Sequence, residues 1–350
     1  MNDNTAKIAH IVGQHYACLR GRQFHLWPCG GASVNSSNFF IGLDGRVDKP
    51  EFVVKAERVA GTEQHRRRLQ TLSVQHQLSL RNSLVPRVLM TADKECAILI
   101  DDWLISLTAC ASGHDSTSQT SRSIEAAQGL ALFHRDSKSV RTNILRCRKY
   151  GLLTDDELVL VEQQLQITEL QSEFVGMVRE FLREFVPDCY AKIREIEARQ
   201  DLPKQLVHCD FHPGNAVFSD DRLVAILDYD SLISDFRMQS VAFACSRFTS
   251  TDDYWQFLAA YHQFDCLTAD EVRLFPLFVM REAVQRGNWL IHTNFFENQP
   301  LWQSEISKHL DWIVQMQELE KAFARLSNSD ILGRLEENAT PTIASRAKAA

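Results

Sequence analysis

At 350 residues the chain is too long for one small core and about the size of one large or two modest domains, so two lobes are the starting expectation. Hydrophobic residues make up 45% and charged residues 24%, as in ordinary water-soluble proteins, and no apolar run approaches the roughly 20 residues of a membrane span. The net charge of −7 argues against a nucleic-acid partner, because a duplex is bound through a positive stripe that displaces its counterions.

The opening MNDNTAKIAHIVGQHY is polar and of mixed charge, without the basic stretch and apolar segment of a secretory signal, so a cytoplasmic location is expected. Nine cysteines, an odd number with no CxxC pair, fit reduced thiols better than a disulfide framework or a zinc ribbon. From Phe24 to Ala56 the pattern is that of strands: FHLWPC, the turn-rich GGASVNSS, NFFIGL, a DGR turn and EFVVKA. Residues 61–80 carry Leu69, Leu72 and Leu80 at helical spacing, and their cluster Arg66, Arg67 and Arg68 reads as a solvated helix face. VPRVLMT and CAILIDDWLI return to β-rich apolar runs, which makes a five-stranded sheet with one helix over about the first hundred residues.

Residues 111–123, ASGHDSTSQTSRS, are nearly all small or polar and read as a flexible loop. From Ile124 the periodicity is mainly helical, and the polar, Pro-interrupted residues 328–350 read as a disordered tail. The fold class is therefore α+β, with a small β-rich N-terminal lobe over 1–103 and a larger, mainly helical lobe over 104–327. One β interruption lies in the helical half, where QLVH leads into HCDFHPGN (residues 208–215) and AVFSDDRLVAILDYDS follows as two short strands around a polar turn.

The octet admits a metal reading, since His208, Asp210 and His212 alternate and would share one face of a strand, as zinc ligands in a metal-dependent hydrolase do. The Pro213-Gly214 pair interrupts that alternation with a turn. The alternative is the catalytic loop of a phosphoryl-transfer enzyme, in which an aspartate accepts a hydroxyl proton and an asparagine five residues later binds Mg²⁺. Asp210 and Asn215 have that spacing, and Asp228, at the end of the apolar VAIL run, supplies a second carboxylate for the metal. In the β lobe, Lys55 closes the strand EFVV where a kinase lysine reaches the phosphates. Glu63 opens the next helix as its partner, with Glu57 as a competitor for that role. Gly30 and Gly31 allow a backbone approach to phosphate or form a plain hairpin turn.

Together, HCDFHPGN and AILDYDS resemble the signature of the aminoglycoside phosphotransferase and choline kinase superfamily: His-x-Asp-x-x-x-x-Asn, then an apolar run ending in Asp. LALFH at 130–134 resembles the Leu-Ala-x-Leu-His that the family carries on an early helix of its C-terminal lobe. The resemblance spans residues 24–320 in order of parts and is specific over 206–231. It implies a protein-kinase-like two-lobed fold, ATP and Mg²⁺ as cosubstrates, and a small-molecule hydroxyl as acceptor. On it Asp210 is the catalytic base, Asn215 and Asp228 hold the metal, and Lys55 holds the phosphates. Ile100, Asp101, Asp102 and Trp103 form the hinge that meets adenine, with Asp101 and Asp102 alternatively no more than solvated residues. His208 supports the loop, His212 is open between a loop hydrogen bond and a phosphate contact, and Asp230 between carboxylate support and turn formation. Beyond Asp228 the chain departs from many relatives, keeping only Asp235 and a final alanine of an otherwise typical stretch. A nucleotide-binding pseudokinase or scaffold is the second reading. Acceptor choice falls to 122–198 and to the segment after Thr268, where Trp289, Phe295, Phe296 and Trp302 are either core or an aromatic wall. Neither segment carries a pattern that picks one acceptor among amino alcohols, amino sugars, sugars and hydroxy amino acids, or that decides oligomeric state.

Overall fold

The computed structural model describes residues 3–29, 36–46, 49–59, 61–115, 120–140, 152–167, 186–249, 253–297 and 315–339, with isolated positions between 142 and 183. The chain forms two compact units: Met1–Ile144 with Asp210–Leu232, and Leu145–Cys209 with Ile233–Ala350.

The first unit opens with α1 (Asp3–His15), which the polar composition of the N-terminus hides. Its Ile8, Ile11 and Val12, followed by Tyr16 and Leu19, recur every three or four residues and are buried. That stripe joins a core with Leu26, Ile41, Val54, Ile105 and Leu107 of the sheet. The sheet consists of β1 (Phe24–Pro28), β2 (Ser36–Leu43), β3 (Phe52–Arg58), β4 (Ala97–Ile100) and β5 (Trp103–Ala109), in the order β1-β2-β3-β5-β4. All neighbouring pairs run antiparallel. The helix α2 (Gly61–Ser79) follows β3, and its Leu72 packs with Val88, Ala97 and Leu104.

The strand count agrees with the sequence reading but the membership does not. VPRVLMT contributes only an isolated bridge from Val88 to Thr108, since Pro86 lacks the N–H a ladder needs. CAILIDDWLI is instead two strands folded at Asp101-Asp102, with Ile100 paired to Trp103 and Asp101 at φ 55°.

In chain order there follow β6 (His114–Asp115), α3 (Thr120–Ser137), α4 (Asp155–Ile167), α5 (Val186–Ala198), β7 (Lys204–His208), β8 (Ala216–Ser219), β9 (Arg222–Ile226) and β10 (Leu232–Phe236). The stretch read as a flexible loop over 111–123 thus holds a short strand and the start of a helix, with 116–119 outside the described residues. Within the first unit, β6, β8 and β9 form a three-stranded sheet, and α3 packs on β9. A Cβ at Gly129 would run into Leu223, so glycine sets the closeness of that packing.

The second unit is mainly helical around the pair β7–β10. It contains α6 (Arg237–Phe248), α7 (Tyr254–His262), α8 (Ala269–Arg273), α9 (Phe275–Glu297), α10 (315–324) and α11 (Asn328–Glu337). The tail expected from residue 328 is therefore helical at its start. Ser327 and Asp330 form a reciprocal cap there, and Ile331 and Leu335, four residues apart, are buried. Residues 340–350 lie outside the described residues. Among the described residues no helix is long and apolar enough to cross a membrane.

Candidate active site

The strand β3 alternates: Val54 and Ala56 are fully buried, so Lys55 and Glu57 point to the opposite face of the sheet. Lys55 lies between Asn38 of β2 and Ser106 of β5 in register. Its Nζ meets Asp230 Oδ2 at 2.5 Å and Asp228 Oδ1 at 3.6 Å. Residues remote in sequence are thereby joined within one unit.

The loop that follows β7 is built from its own side chains. His208 is fully buried, and its carbonyl accepts a hydrogen bond from Ser240 Oγ at 2.7 Å. Pro213–Asn215 form one 3₁₀ turn, which His212 caps: its Nδ1 accepts from the Gly214 N–H at 3.1 Å. That bond places the proton of the neutral ring on Nε2, which lies 3.9 Å from Asp210 Oδ1. Asn215 Nδ2 donates to the Asp210 carbonyl at 2.7 Å and to Asp210 Oδ2 at 3.3 Å. Its Oδ1 is left as the atom able to meet a cation. The Asn215 carbonyl in turn accepts from Leu227 N–H at 2.7 Å, which ties the end of β9 to the loop one residue before Asp228.

Asp228 sits at φ 57° and ψ 72°, where only glycine rests without cost, and makes no side-chain cap to the turn Tyr229–Ser231 that follows. Its carboxylate is thus not spent on turn formation. Asp210, Asn215 and Asp228 offer two carboxylates and one amide oxygen, the hard donors that Mg²⁺ prefers. Among the described residues no group of three or more His, Cys, Asp or Glu side chains is placed to hold a metal ion, and His212 Nδ1 caps its turn.

Two sequence assignments need correction. Glu63 does not reach Lys55: it pairs with Arg66 in the exposed first turn of α2, a position that suits an acidic residue by the helix dipole alone. Nor does Glu57 meet the lysine, since it is held by Arg68 Nε. Ile100, Asp101, Asp102 and Trp103 are not a connection between lobes but the hairpin turn between β4 and β5. There Asp101 pairs with Lys7 at 3.2 Å, Asp102 with Arg58 at 3.5 Å, and the Arg58 guanidinium covers the Trp103 ring at 5.2 Å. Gly30 and Gly31 lie outside the described residues, as does Trp302, and nothing is described of the Phe295 and Phe296 side chains. The Trp289 ring is faced by Arg286 at 4.3 Å from its centroid.

Arg68 is the residue that the sequence reading missed. Its side chain is 11% exposed, and its Nη1 lies 2.6 Å from Asp230 Oδ1. Burial works to raise the Asp230 carboxyl, but the charges of Arg68 and Lys55 outweigh it and hold its pKa below the usual carboxylate value. A signal was present: Arg68 shares a helix face with the buried Leu72 and Gln75, four and seven residues on, and Arg66 does not. Asp235, the residue retained beyond Asp228, meets Arg281 Nη1 at 3.0 Å.

The model of the phosphotransferase enzyme family (APH) matches residues 30–275, well over half of the chain. The chain belongs to this family. No curated protein matches it by sequence. Among solved structures it is similar to the amicoumacin kinase hAmiN, in complex with AMP-PNP, Ca²⁺ and Ami, at 14% identity and a TM-score of 0.61, covering 91% of this chain and 94% of that one. A choline/ethanolamine kinase family protein from Mesorhizobium loti matches at 14% identity and 0.58, covering 95% and 98%. The microcompartment-associated aminopropanol kinase matches at 14% and 0.61, covering 91% and 97%. These likenesses establish a kinase-like fold for this family member.

Proposed function

We propose that this phosphotransferase transfers the γ-phosphoryl group of ATP to a hydroxyl of a small polar metabolite or antibiotic. The reading is carried by one observation: Lys55 and Asp228 meet across 173 positions of sequence, while Asn215, bonded to Asp210 through its side chain, is tied through its carbonyl to Leu227, the residue before Asp228. When bound, Mg²⁺ supplies charge neutralisation on the phosphates, and the Asn215 amide oxygen and Asp228 carboxylate are the residues that would hold it. Lys55 offers its ammonium to the phosphate oxygens, and Asp210 orients the acceptor hydroxyl and accepts its proton. The chain leaves the five-stranded sheet after Ala109, so residues 110–112, rather than 100–103, take the adenine-facing role. The acceptors named for the similar structures, aminopropanol and choline or ethanolamine among them, carry an amine or a quaternary ammonium, and a net charge of −7 suits a cationic acceptor.

The test is ADP release by purified protein with Mg·ATP and panels of amino alcohols, amino sugars, sugars and hydroxy amino acids. At least one class should support turnover, and Asp210→Asn should lower it by about 10²–10⁴-fold with nucleotide affinity retained. Near-normal turnover by Asp210→Asn on the active acceptor would remove the aspartate from its role. Nucleotide binding without turnover on any acceptor would favour the pseudokinase.

A further inference from the structure

We propose that Arg68 is a positioning residue for the nucleotide-binding lysine, occupying Glu57 and Asp230 so that Lys55 can exchange its carboxylate partners for phosphate oxygens. The inference rests on the nucleotide reading above and adds a residue to it. Lys55 faces more negative charge than it can match. Asp230 lies 2.5 Å and Asp228 3.6 Å from its ammonium, and Glu57 shares its face of β3. Three carboxylates around one ammonium would bind it tightly and repel a polyphosphate. Arg68 changes that balance. Its Nε is hydrogen-bonded to Glu57 and its Nη1 is ion-paired with Asp230 at 2.6 Å, so one guanidinium neutralises two carboxylates that belong to different elements. With Glu57 and Asp230 taken by the arginine, Asp228 is the carboxylate left for a cation, and Lys55 is released at lower cost.

The position is reached by geometry rather than by the start of the helix. Residues 61–66 of α2 are largely solvent-exposed, whereas the face that begins at Arg68 and continues through Leu72 and Gln75 is turned inward, and α2 packs against the turn Tyr229–Ser231 that carries Asp230. Asp230 thus receives both cations, one on each carboxylate oxygen: Lys55 on Oδ2 and Arg68 on Oδ1. Among the described residues, removing Arg68 leaves Lys55 as the cation paired with Asp230, and a phosphate must then displace a stronger ion pair. The consequence falls on phosphate affinity and spares the adenosine moiety, which a purely architectural arginine would not do.

Calorimetric titrations with Mg·ATP and, separately, with adenosine test this. Arg68→Met should weaken Mg·ATP about tenfold while adenosine affinity stays unchanged, because phosphate must then compete with a stronger Lys55–Asp230 pair. Adding Asp230→Asn to Arg68→Met removes the competing carboxylate and should restore most of the Mg·ATP affinity. Unchanged Mg·ATP binding in Arg68→Met overturns the proposal, and so does a loss shared equally by adenosine and not restored in the double variant. If Arg68→Met does not fold, Arg68→Lys, which keeps the charge but cannot span two carboxylates, is read by the same criteria with a smaller loss expected. Wild-type protein that binds neither ligand would overturn the nucleotide reading itself, a result distinct from any effect of the variants.

Discussion

At Asp228 the backbone takes a left-handed conformation that costs a non-glycine residue of the order of 1–3 kcal/mol, and such strain persists only where neighbours over-determine it. Here the Leu227 N–H is bonded to the Asn215 carbonyl on one side and the Asp228 carboxylate faces Lys55 on the other. A second tight spot lies in the loop itself. A Cβ on Gly214 would come within 3.0 Å of His212 Cε1 and 3.3 Å of Nδ1, so Gly214→Ala must push the ring away from the N–H it caps. The expected cost is about 1 kcal/mol in urea unfolding. In a His212→Ala background the same substitution should cost clearly less, because the obstructing ring is gone. Additive costs would show that the ring is not the obstacle. Asp210, Asn215 and Asp228 were all readable as candidates from local spacing. Arg68 was not singled out, because three successive arginines look alike until the helix face is assigned, and what Arg68 touches lies on β3 and in the turn after Asp228.

The elements show where local chemistry is sufficient and where it is overridden. The helix α8 is capped by Thr268, whose Oγ1 accepts from the Glu271 N–H while Glu271 returns a bond to the Thr268 N–H. Glu271 also takes Arg237 in a two-pronged pair, both contacts at 2.6 Å, with both side chains almost fully buried, and Asp265 adds a third contact at 3.0 Å. Removing the cap by Thr268→Ala should cost about 1 kcal/mol. Glu271→Gln leaves a buried guanidinium short of a charge and should cost about 3–5 kcal/mol, clearly more, in the same unfolding assay. Equal costs would mean that Glu271 acts mainly as a capping residue. The cap is a sequence pattern, T-x-x-E, but the Arg237 partner lies 34 positions away and cannot be inferred from it. The hairpin at Asp101-Asp102 is the converse case. Two aspartates inside an apolar run are turn formers by composition, yet the run alone does not separate one strand from two, and the hinge role expected of those residues is removed by the strand pairing.

For the whole molecule, stability should depend on pH through a histidine of the second unit. Burial and the nearby Arg237 charge lower the pKa of His262 below 6.5, and its Nδ1 accepts the Leu267 N–H at 2.9 Å, a bond that protonation there would break. Because the folded-state pKa is depressed, the unfolded chain takes up the proton first as pH falls. The stabilising contribution is complete above about 6.5 and declines through the interval between 6.5 and the lowered folded value. Unfolding free energy measured at pH 7.5 and 5.5 should therefore drop, and His262→Gln should flatten that drop. An unchanged slope in the variant would assign the acid sensitivity to other groups.

What the sequence determined by itself is whatever a short stretch of chain can encode. That includes the strand and helix periodicities, the turn chemistry of HCDFHPGN, and the covalent intervals that make Asp210, Asn215 and Asp228 a recognisable set. The tertiary structure alone decided which charges meet. Lys55 faces Asp230 across 175 positions, α2 presents Arg68 rather than Glu63, and the two aspartates after Ile100 turn back into the sheet. The physical reason is that an ion pair needs two side chains within a few ångströms, and that separation is set by how elements pack, not by the order in which they are written.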